Sequence, residues 1–100
     1  MLFKERLFSS AANGDVRKIL EYYAHEVGAD VALDFHSELR VSVDRLKQWP
    51  KAFPLVDGAI RRTLLRSFPF QVVYKIESAT RIRILAVRHH KQNPGYGLDR

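Results

Sequence analysis

Residues 61–94 read RRTLLRSFPFQVVYKIESATRIRILAVRHHKQNP, and this stretch decides the fold because its apolar residues alternate as they do in antiparallel strands. From residue 68 to residue 76, every second side chain is large and apolar: Phe68, Phe70, Val72, Tyr74 and Ile76. Period two places all of them on one face of a strand. The opposite face carries Gln71, Val73, Lys75 and Glu77. We therefore expect a strand that turns one face toward the core.

Residues 81–87 are expected to return beside this strand as the second arm of a hairpin. One face of that arm carries Ile82, Ile84 and Ala86, and the other carries Arg81, Arg83, Leu85 and Val87. Setting Ile76 opposite Ile82 keeps the apolar faces together, whereas a slip of one residue sets Ile76 opposite Arg81. The favoured register also predicts a turn at residues 78–80 and the pairs Tyr74 with Ile84, Val72 with Ala86, Lys75 with Arg83, and Glu77 with Arg81.

On the outer face, this register predicts an apolar patch rimmed by positive charge. The patch would combine Val73, Leu85 and Val87 with Lys75, Arg81 and Arg83. Two cations that face each other across a strand pair repel, and an acidic, amphipathic partner would relieve that repulsion. The alternative is that the chain's own helices or tail cover these side chains, because a strand buried on both faces is apolar on both.

The composition indicates one domain with a basic surface. Its 100 residues suffice for a single core, and a hydrophobic content of 46% excludes a disordered chain. A net charge of +6 favours a polyanionic or acidic partner. There is no cysteine, no signal-like N-terminal run and no apolar run long enough to span a membrane. We therefore expect a cytoplasmic protein that makes no membrane contact.

Two helices are expected before the main strands. Capping residues precede the first helix, whose apolar stripe is Val16, Ile19, Leu20, Tyr23 and Val27. The second helix begins near Ala29, ends at Pro50 and carries the stripe Ala32, Phe35, Leu39, Ser42, Leu46 and Trp49. Residues 2–8 fit a first strand, residues 51–58 a connector and residues 59–65 the next strand. The order β-α-α-β-β-β is an α+β fold with a two-helix hairpin packed on an antiparallel sheet.

Most catalytic patterns are missing from the sequence. The four histidines lack the i, i+4 spacing of a helical zinc site, and we expect neither a metal nor a cofactor. The acidic row Asp30, Asp34 and Glu38 is typical of a solvated helix face. Metal-free RNA cleavage has suitable residue types in Arg62, Arg66, Arg81, Arg83, Arg88, His89, His90, Lys91 and Tyr96. These residues are equally typical of an electrostatic surface in which Tyr96 packs the tail.

Several short motifs follow one another in a characteristic order and spacing. They are Asp15, Ile19 and Tyr22-Tyr23; Ala32, Phe35 and Leu39; Trp49-Pro50 and Phe53-Pro54; and Arg66, Phe68-Pro69-Phe70, Val73-Tyr74 and Ala86-Val87-Arg88-His89. Over nearly its whole length the chain therefore resembles the ParE branch of the RelE/ParE superfamily. The resemblance implies a compact toxin of a type II toxin-antitoxin system. It also implies neutralisation by an extended, acidic ParD-like antitoxin, often in a heterotetramer.

The resemblance leaves two targets open. ParE-like members poison DNA gyrase, whereas RelE-like members cut mRNA on the ribosome and often carry cations where this chain has Leu64 and Gln71. We therefore expect a non-catalytic toxin that binds gyrase, with an mRNA endonuclease as the alternative and a nucleic-acid-binding module as a third hypothesis. The expected target-binding residues are Arg66, Arg88, His89, His90, Lys91 and Tyr96. The expected antitoxin-binding residues are Val73, Lys75, Arg81, Arg83, Leu85 and Val87.

Overall fold

The computed structural model describes residues 7–100. Most of the strand expected at residues 2–8 lies outside the described residues. At its end, Phe8 forms a single parallel bridge with Ile84. The Ile84 amide donates to the Leu7 carbonyl at 2.7 Å, and the Ser9 amide donates to the Ile84 carbonyl at 2.9 Å. These bonds attach the chain just before the first helix to the edge of the sheet.

Two helices, α1 (Ser10–Glu26) and α2 (Ala29–Gln48), form the expected hairpin. The Ser9 side chain caps α1 by accepting from the Ala12 amide at 3.0 Å. The predicted stripe of α2 is buried from Ala32 to Leu46. The prediction was wrong for Val27 and Trp49, which are both 60% exposed. Each is the C-cap of its helix, so the backbone leaves helical geometry there and the side chain leaves the stripe.

Four antiparallel strands follow in the spatial order β1-β2-β3-β4. They are β1 (Leu55–Asp57), β2 (Ile60–Leu64), β3 (Phe70–Ser78) and β4 (Arg81–His89). The short strand β1 lies within the stretch predicted as a connector, where Pro54 and Gly58 hid it from the periodicity. The predicted α+β fold, with a helical hairpin on an antiparallel sheet, is confirmed.

The register of the β3–β4 hairpin confirms three predicted pairs: Ile76 with Ile82, Lys75 with Arg83, and Tyr74 with Ile84. Two predicted pairs were wrong, since Val72 pairs with Val87 and Arg81 pairs with Ser78. The register shifts between Val73 and Tyr74, and again between Ile76 and Ser78. At the first shift β4 carries one extra residue, Leu85, so the alternation of its side chains changes phase there.

That bulge decides which side chains of β4 face the helices. We call the face covered by α1 and α2 the inner face and the opposite face the outer face. Beyond the bulge, Val87 packs in the inner core and Ala86 packs on the outer face, the reverse of the prediction. The inner core buries Phe8, Ala12, Val16, Phe35, Leu39, Val43, Leu46, Leu65, Val72, Tyr74, Ile84 and Val87. The predicted inner positions of Phe68, Phe70 and Ile76 are also confirmed, since all three pack against this cluster.

Aromatic rings fill the space between the hairpin and the sheet. Tyr23, Phe35, Phe68 and Phe70 contact one another with ring centroids 5.3–6.3 Å apart, mostly edge to face. Tyr74 is fully buried, and its hydroxyl donates to the Pro50 carbonyl at 2.5 Å. The inner face is therefore held mainly by apolar burial.

Candidate functional site

The outer face of the sheet is covered by the end of the chain. Residues 93–100, which we call the C-terminal strap, form successive turns after β4. Within the strap, Tyr96 and Leu98 pack on an apolar strip of three buried side chains, Val73, Leu85 and Ala86. Of the two alternatives for Val73, Leu85 and Val87, the exposed apolar patch is therefore wrong, and coverage by the chain's own helices and tail is confirmed. The strap covers the first two, and the helices cover Val87 because of the bulge in β4.

The Arg88 side chain on β4 holds the strap by hydrogen bonds to its backbone. It was predicted to bind the target, but the residue is only 6% exposed. Its Nε donates to Gln71 Oε1 at 3.1 Å, while its Nη1 donates to the carbonyls of Pro94 at 2.5 Å and Tyr96 at 3.0 Å. Burial lowers the pKa of Arg88, and repulsion from Arg62 adds to this effect. The guanidinium thus stabilises the folded chain through internal hydrogen bonds and does not face solvent.

Asp15 on α1 pins the far end of the strap. Its Oδ2 accepts from the Val87 amide at 3.0 Å and from Arg100 Nη1 at 2.7 Å, and its Oδ1 accepts from the Tyr96 hydroxyl at 2.7 Å. The Arg100 guanidinium also lies over the Tyr96 ring, 4.6 Å from the centroid. One buried carboxylate therefore joins α1, the bulged edge of β4 and the strap.

The same network shifts two pKa values. Donation to the Asp15 carboxylate raises the pKa of the Tyr96 phenol, and burial raises it further. The hydrogen bond to Asp15 also raises the pKa of Arg100, although burial opposes the shift. Both groups hold their protons more firmly in the folded chain. Tyr96 was predicted to bind the target, but its hydroxyl donates to Asp15 on α1.

Positive side chains surround the covered strip without acidic partners. Lys75 and Arg83 are half-buried and lie directly opposite each other on β3 and β4, as predicted. Arg62 on β2 pairs with Val73 and lies close enough to repel Arg88. Across residues 7–100, the only ion pair joins Arg100 to Asp15. The positive charge of Arg62, Lys75 and Arg83 on the outer face is therefore not balanced by an ion pair within residues 7–100.

The other predicted target-binding residues divide between two regions. His90 and Lys91 are exposed in the turn after β4, where His89 Nδ1 accepts from the Lys91 amide at 3.0 Å. Arg66 is exposed on the loop between β2 and β3, in a cleft that it shares with Glu38 and other α2 side chains. His89 lines a different cleft, so the structure does not gather the predicted residues into one site.

The cleft that contains His89 lies between α1 and the ends of β3 and β4. It measures about 510 Å³ and is lined mostly by apolar and aromatic side chains, including Ile19, Tyr22, Tyr23 and Phe70. Lys18 and His89 also line it, and Asp15 and Tyr96 connect it to the strap. In the part of the chain that the structure describes, no three His, Asp or Glu side chains form a group that could hold a metal ion. No helix there is long and apolar enough to cross a membrane.

The role of Asp15 was missed at the sequence level, although a signal for its burial exists. Asp15 lies three residues after Ala12 and four residues before Ile19, so it falls on the apolar stripe of α1. A carboxylate on a buried stripe requires donors inside the protein. Those donors are the side chains of Tyr96 and Arg100 and the backbone amide of Val87 on the edge strand β4.

These features define a class: small α+β proteins in which a helical hairpin packs on a four-stranded antiparallel sheet. Comparison with known families makes the class specific, because residues 7–94 match the ParE toxin of the type II toxin-antitoxin system parDE. The chain belongs to the ParE toxin family. This membership confirms the resemblance that the motifs indicated.

Solved structures support the fold. A chain of the chromosomal ParDE toxin-antitoxin system from P. aeruginosa superposes with a TM-score of 0.73 at 18% sequence identity. The match covers 86% of this chain and 98% of that chain. No curated protein matches the sequence.

Proposed function

We propose that this chain is a toxin that acts by binding DNA gyrase without catalysing a reaction, and that an acidic ParD-like antitoxin neutralises it. The observation that carries the proposal is the ParE family match over residues 7–94. Gyrase is the target that the resemblance to ParE-like members implies. The proposal places the protein in the cytoplasm, where gyrase and the antitoxin are found.

The fate of the basic residues favours binding over RNA cleavage. Cleavage by the 2′-hydroxyl needs a base, an acid and cations that converge on one phosphate. The Arg88 guanidinium donates hydrogen bonds to Gln71 and to two strap carbonyls, and the Tyr96 hydroxyl donates a hydrogen bond to Asp15. Neither group is free to contact a phosphate. Arg66 lines a different cleft from His89. Too few groups therefore remain together to stabilise a phosphorane.

The exposed residues after β4 are the best candidates for target contact. His90 and Lys91 project from a turn that the His90 amide ties to the Pro69 carbonyl at 2.9 Å. A turn held in this way presents its side chains with little loss of conformational freedom on binding. Arg88 and Tyr96 act behind this surface, because they fix the strap that follows it.

The antitoxin is proposed to bring carboxylates to the basic outer face. Lys75 and Arg83 repel each other across the β3–β4 pair and have no ion-pair partner within residues 7–100. Arg81 is exposed at the start of β4 and extends the same charge. An acidic segment that docks here relieves the repulsion, which gives the complex its electrostatic specificity. A heterotetramer of two toxins and two antitoxins is the assembly that the resemblance implies.

The test is induced expression of the chain with and without the antitoxin gene beside it. The proposal predicts filamentation and a DNA-damage response without the antitoxin gene, and normal growth with it. Lys91→Ala should weaken toxicity, whereas the matched control Lys47→Ala, which changes an exposed lysine on α2, should not. Immediate arrest of translation without DNA damage would contradict gyrase as the target and favour the endonuclease.

A further inference from the structure

We propose that the C-terminal strap is an exchangeable cover, and that an extended acidic segment of the antitoxin replaces it on the strip formed by Val73, Leu85 and Ala86. This inference rests on the antitoxin partnership proposed above. It adds a binding site that is closed in the free toxin and opens during neutralisation.

The strap matches the strip in shape but not in charge. Tyr96 and Leu98 cover the apolar strip, yet Arg62, Lys75 and Arg83 beside it have no acidic partner in residues 7–100. The strap contains a single acidic side chain, Asp99, which is exposed and makes no ion pair. A segment that carries both apolar and acidic side chains satisfies the strip and its rim together.

The bonds between the strap and Arg88 are bonds that another chain can supply, whereas those from Tyr96 and Arg100 to Asp15 must break during exchange. No strap residue belongs to a strand, and its backbone bonds close local turns, from Tyr96 to Asn93 and from Leu98 to Gly95. Toward the sheet, the strap offers Arg88 two backbone carbonyls. Every polypeptide carries such carbonyls, so exchange leaves no buried donor of Arg88 unpaired.

Gly97 provides a way to loosen the strap by a single methyl group. Gly97 is buried with φ of +82°, and a Cβ added there would lie 2.5 Å from the Ala86 Cβ. The substitution Gly97→Ala is therefore opposed by both the backbone conformation and the contact. Gly95→Ala is the matched control in the same strap, because its added Cβ meets only Asn93 Oδ1, at 3.3 Å, and its φ is not positive.

The experiment measures association of the purified toxin with the antitoxin encoded beside it, together with amide hydrogen exchange of the strap. If the free strap is open in about one molecule in ten, Gly97→Ala should raise the apparent affinity by up to about tenfold, while Gly95→Ala changes it little. Tyr96→Phe, which removes the donation to Asp15 and the bond that the hydroxyl accepts from Arg100, should shift affinity in the same direction. In the wild-type complex, strap amides should exchange faster than in the free toxin.

Each outcome bears on the exchange. A complex in which strap amides become more protected, or in which Gly97→Ala and Gly95→Ala bind equally, overturns it while leaving the antitoxin partnership intact. Absence of any complex with wild-type toxin overturns the exchange and the proposed antitoxin partnership together. Circular dichroism of each variant shows whether an affinity change comes from the strap or from a loss of fold.

Discussion

The two faces of the sheet are covered by different parts of the chain and are held by different forces. The helical hairpin covers the inner face through a large aromatic and aliphatic core. The strap covers the outer face through a small apolar strip and a few directional bonds centred on Arg88 and Asp15. Because the large apolar interface of the inner face does not depend on any one bond, no single polar contact holds the helical hairpin in place. The outer cover depends on fewer apolar contacts and on bonds to two side chains, which is why we propose that the strap, and not the hairpin, is exchanged.

The largest effect is expected on the inner face. Tyr74→Ala should lower the free energy of unfolding by about 3–5 kcal/mol, because it removes a fully buried ring. Urea denaturation measures the loss. The control Tyr74→Phe keeps the ring and removes only the donation to Pro50, so it should cost about 1 kcal/mol. Equal losses in the two variants would mean that the hydrogen bond, and not apolar burial, holds this face.

A smaller loss is expected when the anchor of the outer face is removed. Asp15→Ala takes away the acceptor of the Val87 amide, the Tyr96 hydroxyl and Arg100, and should cost about 2–3 kcal/mol. The control Asp34→Ala changes an exposed acid on α2 and should be nearly neutral. The loss should be accompanied by faster amide exchange in the strap. A strap that stays protected in Asp15→Ala would show that the carboxylate does not pin it.

Charge reversal on the outer face tests the recognition role of its cations. Arg83→Glu should slow association with the antitoxin about tenfold at low salt, because charges at an interface act mainly on the association rate. Stopped-flow measurements at two salt concentrations give the rate. Arg40→Glu makes the same change on exposed α2, on the other side of the molecule, and should have little effect. Equal association rates for the two variants would show that the antitoxin does not bind at the outer face.

The smallest expected effect is a change in the pKa of Tyr96. The pKa of Tyr96 should lie above its ordinary value near 10 in the folded toxin and should fall toward it in Asp15→Ala, where the acceptor is missing. A raised folded-state pKa means that this hydrogen bond stabilises the toxin fully below pH 10 and is lost as pH rises through the folded value. Ring-proton shifts of Tyr96 against pH provide the measurement. An unchanged midpoint in the variant would contradict the bond.

The inner face could be predicted from the sequence because periodic apolar patterns report burial directly. The alternation from Phe68 to Ile76 gave the correct face, and the correct hairpin pairs followed from it as far as Ile84. One extra residue in β4, Leu85, then exchanged the faces of Ala86 and Val87. A bulge is a single-residue event and leaves no trace in a pattern of period two.

The outer face could not be predicted in the same way because its bonds join distant parts of the sequence. Arg88 and Tyr96 have the residue types of a surface that binds phosphate or protein, and both were predicted to contact the target. In the structure, Arg88 donates to strap carbonyls and the Tyr96 hydroxyl donates to Asp15, so both side chains hold the strap in place. Asp15 and Arg100 are 85 positions apart, and only the folded chain brings them together.

The proposal that the toxin binds its target and does not cut RNA is tested most directly with purified components. Wild-type toxin and His90→Gln are titrated into a DNA gyrase supercoiling assay, and the same samples are incubated with ribosomes and mRNA. We predict that wild-type toxin inhibits supercoiling, that the antitoxin restores it, and that His90→Gln loses potency only in proportion to its weaker binding, with mRNA intact throughout. Ribosome-dependent mRNA cuts that disappear in His90→Gln, a loss of about 100- to 10,000-fold in rate, would contradict the account if gyrase were unaffected by the wild type.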